Sequence, residues 1–356
     1  MRFSTTATLL AAGVALALAG CNSDGSSSGS GTGTLNLAVT DAPIDSAEHV
    51  YVTFSAIELK PRSGPSFTIE LDQPVKIDLL ALEGELSETL LDEETGDPVV
   101  PAGDYNWMRL HPQLDDANDT APQHTYIVVT EGNSVPYPLG VPSGEQTGLK
   151  LVSGFTVEED QTAYYVIDFD LRRAVVQSGS HYEYKLRPAH RLVRMDNVGA
   201  IRGSVDGTLI STHCELDGTP DAEGLAMYLF DGMDAEPHDV NIHDAGKEAS
   251  LVSTARVRWN DEDGDYGYAF GFLPPTDYTL GLTCEGDLDD PEADDEIEFV
   301  ATENATVIAG ETTVVDFLAA DEPEDGDNDE AEEDAPEDDD ANGDDPEGDE
   351  VETQTI

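Results

Sequence analysis

The 356-residue chain is short of positive charge: 16 Lys and Arg stand against 76 Asp and Glu, a formal net charge of −60. A polyanion of that density repels DNA, RNA and anionic lipid heads, which excludes nucleic-acid binding as a function class. Beyond the first 20 residues no apolar stretch approaches membrane-spanning length, so no further segment is expected to cross a bilayer as a helix. The chain also lacks the usual catalytic signatures. Ser143 sits in Pro-Ser-Gly and has no Gly-x-Ser-x-Gly elbow around it. Thr147 and Lys150 have the spacing of Ser-x-x-Lys, with Thr in place of Ser. The eight His are scattered, and His238 and His243 have no Cys or His partner at zinc spacing. Cysteine is scarce: three residues, at 21, 214 and 284.

What is abundant is acid, and it is spread along the chain. Residues 321–356 hold 20 Asp and Glu and no Lys or Arg, which leaves 56 acids against 16 bases elsewhere. Self-repulsion and the lack of apolar residues predict a disordered acidic tail over 321–356. The dispersed acidity of the remainder resembles that of proteins from salty habitats, where ionic strength screens self-repulsion. A dedicated cation-binding role is the alternative.

The N-terminus carries Arg2, an apolar run over 7–19 and then Leu18-Ala19-Gly20-Cys21. A short charged start, a short apolar core and small residues at the end read as a secretory signal over 1–21. The last four residues resemble a bacterial lipobox, which implies lipidation of Cys21 and anchoring to a membrane. An ordinary export signal with a stray Cys is the plainer reading. Asn22 after the Cys resembles an outer-membrane lipoprotein more than an inner-membrane one. Residues 22–33 are Gly- and Ser-rich, a flexible linker with a root-mean-square span of roughly 20 Å. With Cys21 lipidated, Cys214 and Cys284 remain as a pair. In an oxidising compartment they can form a disulfide, the alternative being two buried thiols.

From residue 34 the pattern is one of short strands. Leu35, Leu37 and Val39 alternate with polar or small residues, and so do Val50, Val52, Phe54 and Ala56. Further strand candidates are 66–71, 75–80, 105–110, 125–130, 149–157, 163–169 and 182–193. The only helix-like interval is 79–91. Gly, Pro, Asn and Asp fill nearly every gap. Many short alternating strands with frequent turns predict an all-β fold, an antiparallel sandwich or barrel, and two antiparallel sandwiches are expected.

Five segments then carry a resemblance. They are Leu37-Ala38-Val39-Thr40-Asp41-Ala42-Pro43, Gly103-Asp104-Tyr105-Asn106-Trp107-Met108-Arg109-Leu110, the stretch from Val141 through Gly144 and Gly148 to Leu151, Tyr165-Val166-Ile167-Asp168-Phe169-Asp170, and Tyr184-Lys185-Leu186-Arg187-Pro188. In this order they resemble the DUF4382 family of exported bacterial proteins over 34–196. The resemblance implies a compartment and no reaction. A second all-β unit is expected over 200–319. Its segment from Tyr266 through Phe272-Leu273-Pro274 to Tyr278-Thr279-Leu280 resembles the carboxypeptidase-regulatory-like, transthyretin-like sandwiches. So do its opening, Ile201 to Val205, and its close, Ile308 to Phe317. Pro275-Thr276 departs from the usual small residue and Gly. Modules of this kind serve as spacers or binding add-ons.

Three acidic groups invite a chemical reading. Asp168 and Asp170 are two apart on a strand and so share a face, where they could act as acid and base or hold a cation. Arg172, Arg173, Lys185 and Arg187 are near enough in sequence to neutralise them instead. Asp261, Asp263 and Asp265 alternate around Gly264 like a calcium loop. The twelfth position from Asp261 is Phe272, which excludes an EF-hand. The plainer reading is an acidic hairpin turn. Asp41, before Ala-Pro, is expected to bond its own backbone in a turn. Tyr105 and Trp107 are read as sharing one strand face, as core or as a sugar-stacking platform.

The expectation is therefore a lipid-anchored envelope protein that acts as a non-catalytic binding or adhesion-type module. Its partners would be the membrane, through the anchor, and a glycan or an envelope protein. No cofactor is required; Ca2+ is the ion that the acidic groups would take. The alternatives are a structural spacer or assembly partner of an envelope complex, and a hydrolase that uses Asp168 and Asp170.

Overall fold

The computed structural model describes residues 31–319, apart from 43, 45–46, 130–133, 143–147, 179–180, 189, 215–223 and 262–263. The signal sequence, Cys21, the linker as far as residue 30 and the acidic tail lie outside the described residues, as do Ser143, Thr147 and Asp263.

The described residues of the first half hold fourteen strands, the longer of them set by alternation of apolar and polar residues. They are β1 (Thr32–Ala42), β2 (Ala47–Pro61), β3 (Phe67–Asp78), β4 (Glu88–Leu91), β5 (Val99–Pro101), β6 (Gly103–Pro112) and β7 (Tyr126–Val129), then β8 (Pro136–Gly140), β9 (Leu149–Leu151), β10 (Phe155–Val157), β11 (Thr162–Asp170), β12 (Val175–Gln177), β13 (Tyr184–Leu186) and β14 (His190–Arg194). A short helix, α1 (Leu171–Ala174), follows β11. One sheet runs β14-β11-β1-β4, with β5 also on β1; the other runs β10-β6-β2-β7-β8-β13-β12, with β3 on β2 and β9 on β6. Leu35, Leu37 and Val39 of β1 and Tyr165, Ile167 and Phe169 of β11 face one core with Val52, Phe54, Ile57 and Leu59 of β2. That core is the filling of a sandwich.

The second half repeats the plan on a smaller scale. Its elements are β15 (Gly199–Val205), α2 (Gly207–His213), β16 (Ala226–Asp231), α3 (Ala245–Ser250), β17 (Leu251–Arg256), β18 (Arg258–Asn260), β19 (Asp265–Leu273), β20 (Asp277–Thr283), β21 (Phe299–Thr306) and β22 (Thr312–Val314). Two four-stranded sheets, β18-β19-β15-β22 and β17-β16-β20-β21, enclose Ile201, Val205, Leu229, Phe270, Leu280 and Phe317. The outer side of β16 is also buried. Tyr228 and Phe230 pack there with Val240 and Leu251. Cys214 and Cys284 are joined as a disulfide, their Cα atoms 5.5 Å apart.

Several details differ from the sequence reading. Three pairings are parallel (β1 with β11, β8 with β13, β15 with β22) within otherwise antiparallel sheets. β1 starts inside the expected linker, where Thr32 and Gly33 pair with Pro101 and Val100. The helix-like interval holds a single 3-10 turn, Leu79–Ala81, and then β4. Gly84, at φ +70, ends any helical path between them. Tyr105 and Trp107 do not share a face. A bulge opposite Lys60 and Pro61 shifts the register, so Tyr105 stacks on Phe155 in the core while Trp107 lies outside under Arg109 and Lys150.

The described residues from 31 to 319 form one compact body, and arginines tie its two sandwiches together. Arg172 is buried, donates to the Gly286 carbonyl and lies 5.5 Å from the Tyr228 ring centre. Arg173 reaches the Leu251 carbonyl (3.3 Å), and Arg187 pairs with Glu292 (2.8 Å). From the other side Arg256 and Arg258 meet Glu83 at 3.4 and 3.1 Å. Five of the chain's 16 Lys and Arg side chains are thus committed to this junction.

Candidate functional site

Where the sandwiches meet, they leave a cleft of about 620 Å³, within the size range of small-molecule sites. One wall comes from the first sandwich: Thr40 and Asp41 at the end of β1, Asp168 at the end of β11, and the Glu83–Gly84 loop. The other wall is β17 from Ser253 to Arg256, the β18–β19 hairpin with Trp259 and Asp261, and β19 from Gly267 to Gly271. Close approach at the floor requires small residues. A Cβ on Gly271 would lie 2.3 Å from the Gly84 carbonyl oxygen. β1 and β11 end together because they run parallel and in register, Thr40 beside Asp168 and Ala42 beside Asp170.

The structure gives Asp168 and Asp170 separate arginine partners. Asp168 accepts from Arg191 Nε at 2.6 Å. Burial holds its carboxyl above the usual range, against the pull of Arg191. Asp170 caps α1 by accepting from Arg173 N (3.1 Å) and pairs with the Arg173 side chain. Both carboxylates lie on buried backbone ends and serve ion pairs. Among the described residues no three His, Cys, Asp or Glu side chains are grouped so as to hold a metal ion. Of the acidic segment, Asp261 and Gly264 lie between the paired strands β18 and β19: Gly264 N donates to the Asn260 carbonyl (2.8 Å), and Asp261 accepts from Trp259 Nε1 (3.0 Å). Asp265 Oδ1 accepts from Tyr266 N at 2.8 Å. Asp261 lines the cleft; Asp265 does not.

Asp41 is the residue that sequence reasoning misplaced. It does not close a turn onto its own backbone. It is 4% exposed, it lines the cleft, and neither carboxylate oxygen has a hydrogen-bond partner among the described residues. Burial raises its carboxyl well above the usual range; Asp168, Asp170 and Glu83 push the same way and Arg256 opposes them. Thr254, on the facing wall, likewise has a buried hydroxyl with no partner among the described residues. Its neighbour Arg256 is held by Glu83 and by the Ala47 carbonyl (3.4 Å). Nothing local in the sequence marks Thr254, Arg256 or Trp259, because the cleft exists only once both halves are folded. Among the described residues the lining has carboxylates, hydroxyls, arginines and aromatic rings, and no His, Cys or Lys.

No curated protein sequence matches the chain. Among solved structures, a leucine-rich repeat protein from Bacteroides thetaiotaomicron is similar at 12% identity over 82% of this chain and 27% of that one, with a TM-score of 0.19. The TIE protein of Bacillus anthracis is similar at 12% identity, over 80% of this chain and 33% of that one, TM-score 0.16. The chain thus spans about a third or less of the length of these two proteins. The minor pilin GBS52 of Streptococcus agalactiae is similar at 10% identity, over 80% of this chain and 94% of the pilin, TM-score 0.18. In sequence, residues 32–188, the strand-rich first half that ends just after β13, match the family model described as a domain of unknown function, DUF4382.

Proposed function

We propose that the protein is a non-catalytic binding module of the bacterial cell envelope, held to a membrane by lipid on Cys21, with its ligand seated between the two sandwiches. The cleft is the observation that carries this reading. A spacer needs no concavity, whereas here both sandwiches contribute polar and aromatic side chains to a space large enough for a small ligand. The carboxylates considered for hydrolysis support binding over catalysis, since Asp168 and Asp170 are each engaged by an arginine. The lipobox-like Cys21 and the Cys214–Cys284 disulfide support an exported, anchored protein.

Two experiments test the proposal. Envelope glycans and peptides are screened by thermal shift against the full chain and against Trp259→Ala. A ligand that raises the melting temperature of the wild type and leaves the variant unmoved supports the cleft; equal shifts in both move the site elsewhere. The mass of the mature N-terminus reports lipidation, and Cys21→Ala is expected to release the protein from membranes. An unmodified Cys21 on a membrane-bound protein refutes the anchor.

A further inference from the structure

We infer that the cleft receives the ammonium head of a primary amine, such as a lysine side chain, between Asp41 of β1 and Thr254 of β17. The inference rests on the cleft being the ligand site, as proposed above. Three buried acceptors without partners among the described residues lie in its lining: Asp41 Oδ1, Asp41 Oδ2 and Thr254 Oγ1. β1 and β17 pack against each other, so the walls that carry them are adjacent. Buried polar atoms in folded proteins are normally satisfied, and an unmatched set aimed into a cavity points to a missing donor. An alkylammonium brings three N–H donors and a positive charge on one atom. Its methylene stem would run along Trp259 and Phe270, which line the same space.

Other occupants fit less well. A divalent ion needs six or more oxygens, and the carboxylates of Asp168 and Glu83 already serve Arg191, Arg256 and Arg258. An anion would meet Asp41 directly, while the arginines of the cleft are neutralised by Glu83. The charged groups that bear on Asp41 are Asp168, Asp170 and Glu83 on one side and Arg256 on the other. With burial they favour a protonated carboxyl in the empty cleft. An arriving ammonium takes the place of that proton, so binding releases a proton and tightens as pH rises toward the range where the amine itself deprotonates.

The test is isothermal titration calorimetry of the full chain with three probes: N-acetyl-lysine methylamide, the uncharged N-acetyl-norleucine methylamide and the anionic N-acetyl-glutamate methylamide. The lysine probe is expected to bind at one saturable site and to release a proton, read as a dependence of the heat on buffer ionisation. Asp41→Asn should weaken it about 10- to 100-fold, and Thr254→Val by a smaller factor, because charge-assisted bonds are the stronger ones. Melting curves of both variants show that they fold. The acidic tail is the same in every protein compared, so diffuse attraction to it cancels. Equal lysine-probe affinity in the wild type and Asp41→Asn overturns the inference. Equal affinity for the norleucine and lysine probes also overturns it, while leaving the cleft as a binding site. If none of the probes binds, the inference falls and the proposed function stands or falls on the Trp259→Ala screen alone.

Discussion

Replacing Asp41 with Asn should stabilise the protein at neutral pH and leave it unchanged near pH 4. The unfolded carboxyl titrates near pH 4. In the folded protein burial, reinforced by Asp168, Asp170 and Glu83, holds the proton to higher pH. Between the unfolded and folded midpoints the native state binds more protons than the unfolded chain, so stability falls as pH rises through that window. Above it the native protein carries a buried carboxylate with neither oxygen hydrogen-bonded among the described residues. An unsatisfied buried group costs about 1–3 kcal/mol, and a charged one lies toward the upper end. Asn is close to isosteric and neutral, so it removes the charge while leaving the packing. For an ordered region of this size the gain corresponds to a rise in melting temperature of about 2–6 °C. Differential scanning calorimetry of the two proteins at pH 4, 5.5 and 7.5 follows it. The gap should be near zero at pH 4 and widen upward. A variant that is less stable than the wild type at pH 7.5, or a gap that does not change with pH, would refute the assignment of Asp41 as a buried, unpaired acid.

Three further outcomes are expected. Asp115 accepts from the backbone N–H groups of Gln123, His124 and Thr125 at 3.1, 2.8 and 2.9 Å, so Asp115→Ala should cost about 2–4 kcal/mol in a urea titration; a cost below about 1 kcal/mol would mean that water replaces the carboxylate freely. The Cys214–Cys284 bridge spans 70 residues, for which chain entropy gives about 4 kcal/mol, and mutating both to Ser should lower stability by about 2–4 kcal/mol, an unaltered midpoint arguing against a bridge in the native protein. Glu83 receives Arg256 and Arg258 from the opposite sandwich, so Glu83→Gln should destabilise by about 1–2 kcal/mol, less at high salt because Arg258 is half exposed, and a cost that salt does not change would mean that the pairs contribute little.

The strands were legible where one face is core and the other is not. β1, β2, β6 and β11 show that alternation plainly, with Leu35, Leu37 and Val39 as the pattern. β8 was hidden by its two prolines, and β21 by a run, Thr-Glu-Asn-Ala-Thr, with little apolar content. The parallel pairing of β1 with β11 could not be read, since nothing local in either strand encodes a partner so far along the chain. For the site, spacing put Asp168 and Asp170 on one strand face; β11 carries both near its end, and Arg173, one of the expected neutralisers, pairs with Asp170. Arg191 was not, because β14 reaches Asp168 through pairing rather than proximity in sequence. Arg172 and Arg187 lie near the pair in sequence and turn to the other sandwich instead. Asp41 was read from the Ala-Pro that follows it, which describes a turn and says nothing of the wall opposite.

The register of β1 has a consequence for how the molecule is made. β1 lies in the middle of its sheet, and its long neighbour is β11, residue for residue from Thr34 beside Thr162 to Ala42 beside Asp170. β1 therefore has no long partner until residue 170 has been synthesised. Loop closure over that distance is slow relative to local hairpins. The sheet built on β1 should therefore stay open while the chain is being made and close only when β11 arrives. Fragments that stop before residue 162 should remain protease-sensitive, whereas chains extended through β14 gain the order that closes the sheet.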